Sequence, residues 1–239
     1  MYKDDYVETY DLLMQSRGKD FKTQALDVAR VVREHAPDAE SLLDLGTGTG
    51  LHLQFLAEQF DDVVGADYSE EMLAFAAGRI EGLKTLRVDF REEIDLGRKF
   101  DAITSLCAIP HLESADEFEA LIRGLLKHLN PGGVLVIEPW YDGDGFNDGH
   151  VASDLMTKED GAIVRLSHAR RIADDRIEMV VHYAVADSGA GLRDFTEKVQ
   201  LTLFTREQLA AGFAAAGAVA EHQEIDGFPW GLWVARAAG

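Results

Sequence analysis

The sequence predicts an α/β protein built on a doubly wound, mostly parallel sheet that carries an antiparallel β insertion. Three observations lead there. Short apolar strands alternate with helical periodicities through residues 1–139, the rhythm of βαβ units. Three glycines at alternate positions, Gly46, Gly48 and Gly50, follow the first apolar run. After Pro139 the texture changes to two-residue alternation, clearest in Ile177, Met179, Val181, Tyr183 and Val185, which is the period of a strand with one buried face.

Taken in order, Val7–Met14 reads as a short helix and Ser16–Asp20 as a turn. From Phe21 to His35 apolar residues recur at helical spacing, and Pro37 closes the helix. Ser41–Leu45 is the first strand, with a helix expected over Leu51–Gln59. Strand Asp62–Ala66 leads to Asp67, and Ser69 before Glu70 and Glu71 is an N-cap with acids in the first turn. Strands Thr85–Val88 and Phe100–Leu106 follow. Helix Glu117–Leu129 is expected to close at Asn130-Pro131-Gly132-Gly133. Val134–Ile137 is wholly apolar, as a strand buried on both faces should be. Ala162–Arg171, Arg176–Ala186 and Thr196–Phe204 are the insertion strands, turned by Asp174-Asp175 and Asp187-Ser188-Gly189. Helix Thr205–Ala216 and strands Val219–Glu224 and Leu232–Ala235 then resume the α/β pattern. The expected division is therefore a ligand-binding domain over 1–139, an antiparallel cap over 140–204, and a segment over 205–239 that completes the first sheet.

Composition narrows the function. Of 239 residues 46% are hydrophobic, enough for a core without disulfide or metal staples. A single cysteine, Cys107, permits no intramolecular disulfide and points to a reducing compartment, the cytoplasm. No apolar run reaches the roughly 18 residues of a membrane span, and Met1-Tyr2-Lys3-Asp4-Asp5 lacks the features of a signal peptide. A formal charge of −20 argues against a nucleic-acid partner.

The glycine stretch is the most informative. Leu42 and Leu43 lead into Asp44, and the glycines follow. Without Cβ atoms the backbone can approach a ligand closely, and the amides of the helix start are expected to face it. The G-x-G-x-G spacing differs from the G-x-G-x-x-G of dinucleotide sites. Asp44 suits a cationic ammonium and would repel a pyrophosphate. S-adenosylmethionine (SAM), whose methionine part carries an ammonium, is the expected cofactor, leaving S-adenosylhomocysteine as product. A nicotinamide oxidoreductase is disfavoured on the same grounds.

Ligands of open sheets bind at the carboxyl ends of the strands. Asp44, Asp67, Asp89 and Leu106 sit there. Asp67 can accept from both ribose hydroxyls, and Asp89 from an adenine amino group. Tyr68 and Phe90 offer apolar faces. Thr47, His52 and Met72 are grouped with them, and Arg17, or Lys19 beside it, is the candidate for the methionine carboxylate. An amine acceptor must be neutral to attack, so His111, after Pro110 in the loop following Leu106, is the candidate base or orienting group. Trp140, Tyr141, Phe228 and Trp230 are candidate substrate contacts, and Cys107 reads as buried filler. Asp142–Asp148 begins like a calcium loop, but Phe146, Asn147 and Ser153 stand where a ligand, a glycine and the closing glutamate are needed. No histidines show paired ligand spacing, so no metal is expected.

As a set, Asp44-Leu45-Gly46-Thr47-Gly48-Thr49-Gly50, Asp67, Val88-Asp89-Phe90 and Leu129-Asn130-Pro131-Gly132-Gly133 resemble the motifs of class I SAM-dependent methyltransferases. That resemblance implies a Rossmann-like sheet, with the glycine turn on the methionine part, Asp67 on the ribose, and Asp89 with Phe90 on the adenine. A narrower resemblance runs through nearly the whole chain. Tyr10-Asp11-Leu12, Arg17-Gly18-Lys19-Asp20, His52-Leu53, Leu96-Gly97-Arg98-Lys99-Phe100, Glu138-Pro139-Trp140 and Thr202-Leu203-Phe204 are similar to the N,N-dimethyltransferases of dTDP-amino sugars, of desosamine and mycaminose type. It implies that the insertion covers the substrate and supports a homodimer, that His111 lies by the amine, and that Tyr10 stands near the substrate entrance. Those enzymes carry Ser-Gly-Arg-Gly-Leu-Phe where this chain has Phe228-Pro229-Trp230-Gly231-Leu232-Trp233. Trp230 thus replaces a candidate phosphate partner. Methyltransferases of peptide antibiotics, including the quinoxaline type that methylates a disulfide sulfur, are similar less specifically. The expected function is N-methylation of a small-molecule intermediate of antibiotic biosynthesis, first a nucleotide-linked amino sugar. S-methylation of a peptide antibiotic is the alternative, and a non-catalytic SAM-binding protein is the alternative of another class.

Overall fold

The computed structural model describes residues 4–141 and 143–238. Met1, Tyr2 and Lys3 of the leader reading, and Asp142, which opens the calcium-like loop, lie outside the described residues. The first unit runs α1 (Asp4–Ser16), α2 (Phe21–His35), β1 (Ser41–Leu45), α3 (Leu53–Leu56), β2 (Asp62–Asp67), α4 (Glu70–Arg79), β3 (Lys84–Arg87), β4 (Phe100–Leu106), α5 (Ala115–Lys127) and β5 (Leu129–Glu138). Four strands follow, β6 (His150–Lys158), β7 (Gly161–Ala173), β8 (Arg176–Asp187) and β9 (Gly191–Thr202), and then α6 (Arg206–Ala215), β10 (Ala218–Ile225) and β11 (Phe228–Ala237).

The expected α/β architecture is present. Seven strands pair in the order β10-β11-β5-β4-β1-β2-β3. β1 to β5 are parallel, while β11 runs antiparallel to both β5 and β10. The order reverses at β1, flanked by β2 and β4, so the crevice of the sheet opens over the glycine turn that follows β1. One face buries Val28 and Val32 of α2 against Leu42, Val134 and Val136. The other buries Phe118, Leu121, Ile122 and Leu125 of α5 against Phe100, Ile103 and Leu135. Each such side chain contributes about 1.5–3 kcal/mol. Gly212 lets α6 approach α5, because a Cβ there would stand 2.6 Å from the Phe118 ring.

Three local expectations are corrected. The helix expected over Leu51–Gln59 shrinks to Leu53–Leu56, flanked by turns. Asn130-Pro131-Gly132-Gly133 does not end α5, which stops at Lys127. It forms an irregularity inside β5, where Phe100 pairs with Leu129 and Ala102 already with Val134. The antiparallel sheet has four strands rather than three, in the order β6-β7-β8-β9. β6 has no apolar alternation because its inward positions include the charged Asp154, with only Met156 fully buried.

This second sheet turns one face toward the first unit. Leu13 of α1 packs on Met156, Ile163, Val181, Tyr183 and Val185 at one end. At the other, Trp140, Tyr141 and Phe146 pack against Ala169, Ile177, Leu201 and Leu203. Among the described residues no helix is long and apolar enough to cross a membrane.

Candidate active site at the carboxyl ends of the strands

Gly46, Gly48 and Gly50 all have left-handed backbone, with φ of 75°, 56° and 79°, which glycine adopts without a Cβ penalty. Four amides of the turn are hydrogen-bonded within the protein. The amides of Gly46 and Thr47 donate to the Ala66 carbonyl at 2.8 and 3.0 Å, that of Gly48 to Asp67 Oδ2 at 2.9 Å, and that of Gly50 to the Thr47 carbonyl at 3.0 Å. These four amides are turned inward, so the turn offers bare main chain, and the helix behind it has four residues. A Cβ on Gly48 would meet nothing within 4 Å, so the space above the turn is open. A Cβ on Gly46 would lie 2.5 Å from Ala108 Cβ, so the turn and the loop after β4 touch. The Thr47 hydroxyl is buried with no hydrogen-bond partner.

Acids border the turn. Asp44, at the carboxyl end of β1, is 3% exposed and accepts a hydrogen bond from Thr104 Oγ1 at 2.7 Å. Burial pushes its carboxyl up to about 6. Asp67, ending β2, accepts from the amides of Gly48 and Ser69. Burial raises its pKa, and those amides oppose the rise. Ser69 caps α4 as expected, its Oγ accepting from the Met72 amide at 3.2 Å, and Met72 is buried below it. Asp89 is held by Arg91, whose Nε and Nη2 donate at 2.8 and 2.5 Å and lower the carboxyl below its usual range. The Arg91 guanidinium also lies 5.9 Å from the centroid of the exposed Tyr68 ring. Phe90 is half-buried, near Gly46. Sequence reasoning missed Arg91, although a cation two residues after Asp89 was there to be read.

Charged side chains fix α1 and the turn after it. Asp11 accepts from Thr49 Oγ1 at 2.6 Å and pairs with Arg79, whose Nε reaches the Thr49 carbonyl at 2.9 Å. Arg79 was not singled out in the sequence, and Asp11 stood there only within the Tyr10-Asp11-Leu12 motif. Arg17 is committed elsewhere, donating from Nε and Nη2 to Asp154 of β6 at 3.1 and 3.0 Å. Lys19 reaches the strand ends instead, 3.9 Å from Glu138 Oε1 and 4.0 Å from Cys107 Sγ. Tyr10 is enclosed near Cys107 and Glu138, and burial raises its phenol pKa. His52 sits 3.0 Å from Gln24 Oε1 with its ring edge on Phe21, and burial lowers it to about 3. It is a half-buried, neutral strut between α2 and the glycine turn.

After the buried Leu106, β4 leaves the sheet through Cys107, whose φ of 58° is the one left-handed value among described non-glycine residues. A 3-10 turn, Ile109–His111, follows. His111 is solvent-accessible, yet protein crowds its ring, and desolvation together with the nearby Arg91 charge lowers its pKa. Tyr141 lies against Trp230 at 4.6 Å between centroids, tilted by 40°, and touches Trp140 at 5.7 Å, giving a connected aromatic group. Phe228 does not join it. At 3% exposure it packs with Val28 and Val32 in the core, which corrects its reading as a substrate contact. The residue that sequence reasoning missed here is Glu138, a carboxylate closing the otherwise apolar run Val134–Ile137.

A Rossmann-like sheet with an open glycine turn between two strand-end acids defines a SAM-dependent methyltransferase. The family model described as a methyltransferase domain matches residues 42–133. The chain is 38% identical over 235 residues to the dTDP-3-amino-3,4,6-trideoxy-alpha-D-glucopyranose N,N-dimethyltransferase of Streptomyces venezuelae, covering 98% of each. It is 40% identical over 218 residues to the dTDP-3-amino-3,6-dideoxy-alpha-D-glucopyranose N,N-dimethyltransferase of Streptomyces fradiae, covering 90% of this chain and 84% of that one. Among solved structures it superimposes on Streptomyces venezuelae DesVI with a TM-score of 0.92, 37% identity and coverage of 99% and 100% of the two chains. With the SAM-bound amino pentose methyltransferase CalS10 of Micromonospora echinaspora the TM-score is 0.84, the identity 39% and the coverage 98% and 97%. The chain belongs to the family of dTDP-amino-sugar N,N-dimethyltransferases.

Proposed function

We propose that this enzyme transfers methyl groups from SAM to the exocyclic amine of a dTDP-linked amino sugar, giving the dimethylamine. The observation that carries this reading is full-length similarity to N,N-dimethyltransferases of such sugars, without gaps in coverage at the cap or at the C-terminal strands.

SAM supplies an electrophilic methyl carbon on a sulfonium. Several features of the chain fit it. Open space over Gly48 leaves room for the amino-acid part, and the buried Asp44 carboxylate, raised to about 6, gains from a cation beside it. Asp67 keeps lone pairs for ribose hydroxyls after accepting two amides. Asp89 accepts from the adenine amino group, with Tyr68 and Phe90 as apolar faces for the purine. Lys19 rather than Arg17 faces the methionine carboxylate. His111, neutral at physiological pH, takes the proton from the acceptor ammonium or orients the amine. The chain's main task is alignment at about 3 Å with water excluded.

The cap formed by residues 140–204 covers the acceptor, with Trp140, Tyr141 and Trp230 as its aromatic wall and residues 205–239 returning to the sheet. The adjoining Tyr141 and Trp230 rings suit the flat base of the nucleotide carrier. The outward face of the cap sheet exposes Val151, Leu155, Leu166 and Leu192, which suits a homodimer. A single thiol and a nucleotide-sugar substrate agree with a cytoplasmic enzyme.

The test is mass spectrometry of the enzyme with SAM and dTDP-3-amino-3,6-dideoxyglucose. Successive mono- and dimethylated products are expected. Bound donor without either product would refute the acceptor assignment.

A further inference from the structure

Glu138 ends β5 at the carboxyl edge of the sheet, next to β4 and the loop that carries His111. It is 4% exposed, and its Oε2 is buried without any hydrogen-bond partner. A buried carboxylate oxygen left unpaired is costly, and native proteins keep such groups where something else completes them. Lys19 stands at 3.9 Å from the other oxygen, too far for a close ion pair. The backbone beside it is strained. Cys107, whose amide donates to the Glu138 carbonyl at 3.1 Å, takes the left-handed conformation that a side chain disfavours. That bend carries Ala108 over Gly46, so the loop that starts beside Glu138 reaches the glycine turn. Strain of this kind is maintained at functional sites.

We propose that Glu138 is a catalytic residue of the acceptor subsite, binding the amine and carrying its proton between the two methyl transfers. The inference rests on the amino-sugar reading above. Glu138 Oε2 accepts an N–H of the sugar amine, which turns the nitrogen lone pair toward the methyl carbon. In the transfer the C–N bond forms, the C–S bond breaks, and its electron pair stays on sulfur as a thioether. The nitrogen then carries a positive charge and both of its original protons. One proton passes to the Glu138 carboxylate and on to solvent, restoring a lone pair on the monomethylamine for the second round. Burial raises the Glu138 pKa, and the Lys19 charge opposes the rise. His111 on the exposed side receives the incoming ammonium proton, and Glu138 on the buried side takes the proton left on nitrogen after transfer.

The test is Glu138→Gln, which keeps the shape and an acceptor oxygen but cannot take a proton. We expect turnover about 10²-fold lower, monomethyl product accumulating ahead of dimethyl product, and S-adenosylhomocysteine affinity and melting temperature near wild type. Glu138→Asp should restore part of the second transfer. If Glu138→Gln melts early, the aspartate variant decides: a wild-type product ratio in it overturns the proposal. A product ratio and turnover equal to wild type in Glu138→Gln overturns it outright. Absence of any methylation by the wild-type enzyme would overturn the amino-sugar reading and this inference with it.

Discussion

The amide of Gly48 donates to the Asp67 carboxylate at 2.9 Å, across the gap between the glycine turn and the end of β2. That bond fixes the turn in its left-handed shape with its outer surface bare. It also makes the donor's seat depend on backbone conformation more than on any single side chain.

Gly48→Val tests that seat. Valine is strained at φ 56° and its side chain enters the open space above the turn. The strain costs about 1–3 kcal/mol, which the sheet should tolerate. S-adenosylhomocysteine affinity should fall at least about 10²-fold, equivalent to roughly 2.7 kcal/mol. Calorimetry on a variant with a cooperative melt checks both.

Asp44 carries a trade of stability for binding. Its carboxyl is raised to about 6 from 3.8. Below the unfolded value both states are protonated. As pH rises toward 6 the folded state must release a proton that the unfolded chain has already lost, so stability falls over that window and stays lower above it. Asp44→Asn should stabilise the ligand-free protein by about 1–3 kcal/mol at pH 7. It should also weaken cofactor binding, because the counter-charge for the ammonium is gone. In the wild type, S-adenosylhomocysteine should bind more tightly as pH rises through 6, with proton release measurable by calorimetry in buffers of different ionisation enthalpy.

His111→Ala should lower turnover by about 10²-fold with cofactor affinity unchanged. Burial and Arg91 hold the imidazole below its ordinary value of 6.5. The wild-type enzyme therefore loses this base only in more acidic solution, and the corresponding limb of the pH–rate profile should vanish in the variant. Full activity would reduce His111 to a bystander.

The cap's outward face yields a prediction on assembly. Leu155 and Leu166 are 67% and 50% exposed on adjacent strands. Wild-type protein should sediment as a dimer, and Leu166→Glu should shift it toward monomer without lowering the stability of the fold by more than about 0.5 kcal/mol. A monomeric wild type would remove the cap from the interface.

How much of this was legible in the sequence follows physical lines. β1 and β4 were readable to the residue, because apolar runs bounded by acids and glycines leave one solution. The short α3 was not, since its turns are shaped by tertiary contacts such as His52 with Gln24. β6 escaped because Asp154, drawn inward by Arg17 and Arg165, breaks the alternation. At the site, placement set by strand position (Asp44, Asp67, the glycines) was visible. Roles set by pairing were not: Arg17 beside Lys19 offers no sequence clue to which one turns to Asp154 and which to Glu138. Phe228 misled for a similar reason. An aromatic residue beside Trp230 reads the same whether it enters the core or a pocket.

The most direct measurement is a crystal structure of the enzyme with S-adenosylhomocysteine. The account predicts the amino-acid tail over Gly46–Gly50 beside Asp44, the ribose on Asp67 and the purine against Phe90 and Tyr68. Density for the ligand anywhere else, or a turn that stays bare at saturating ligand, would contradict it.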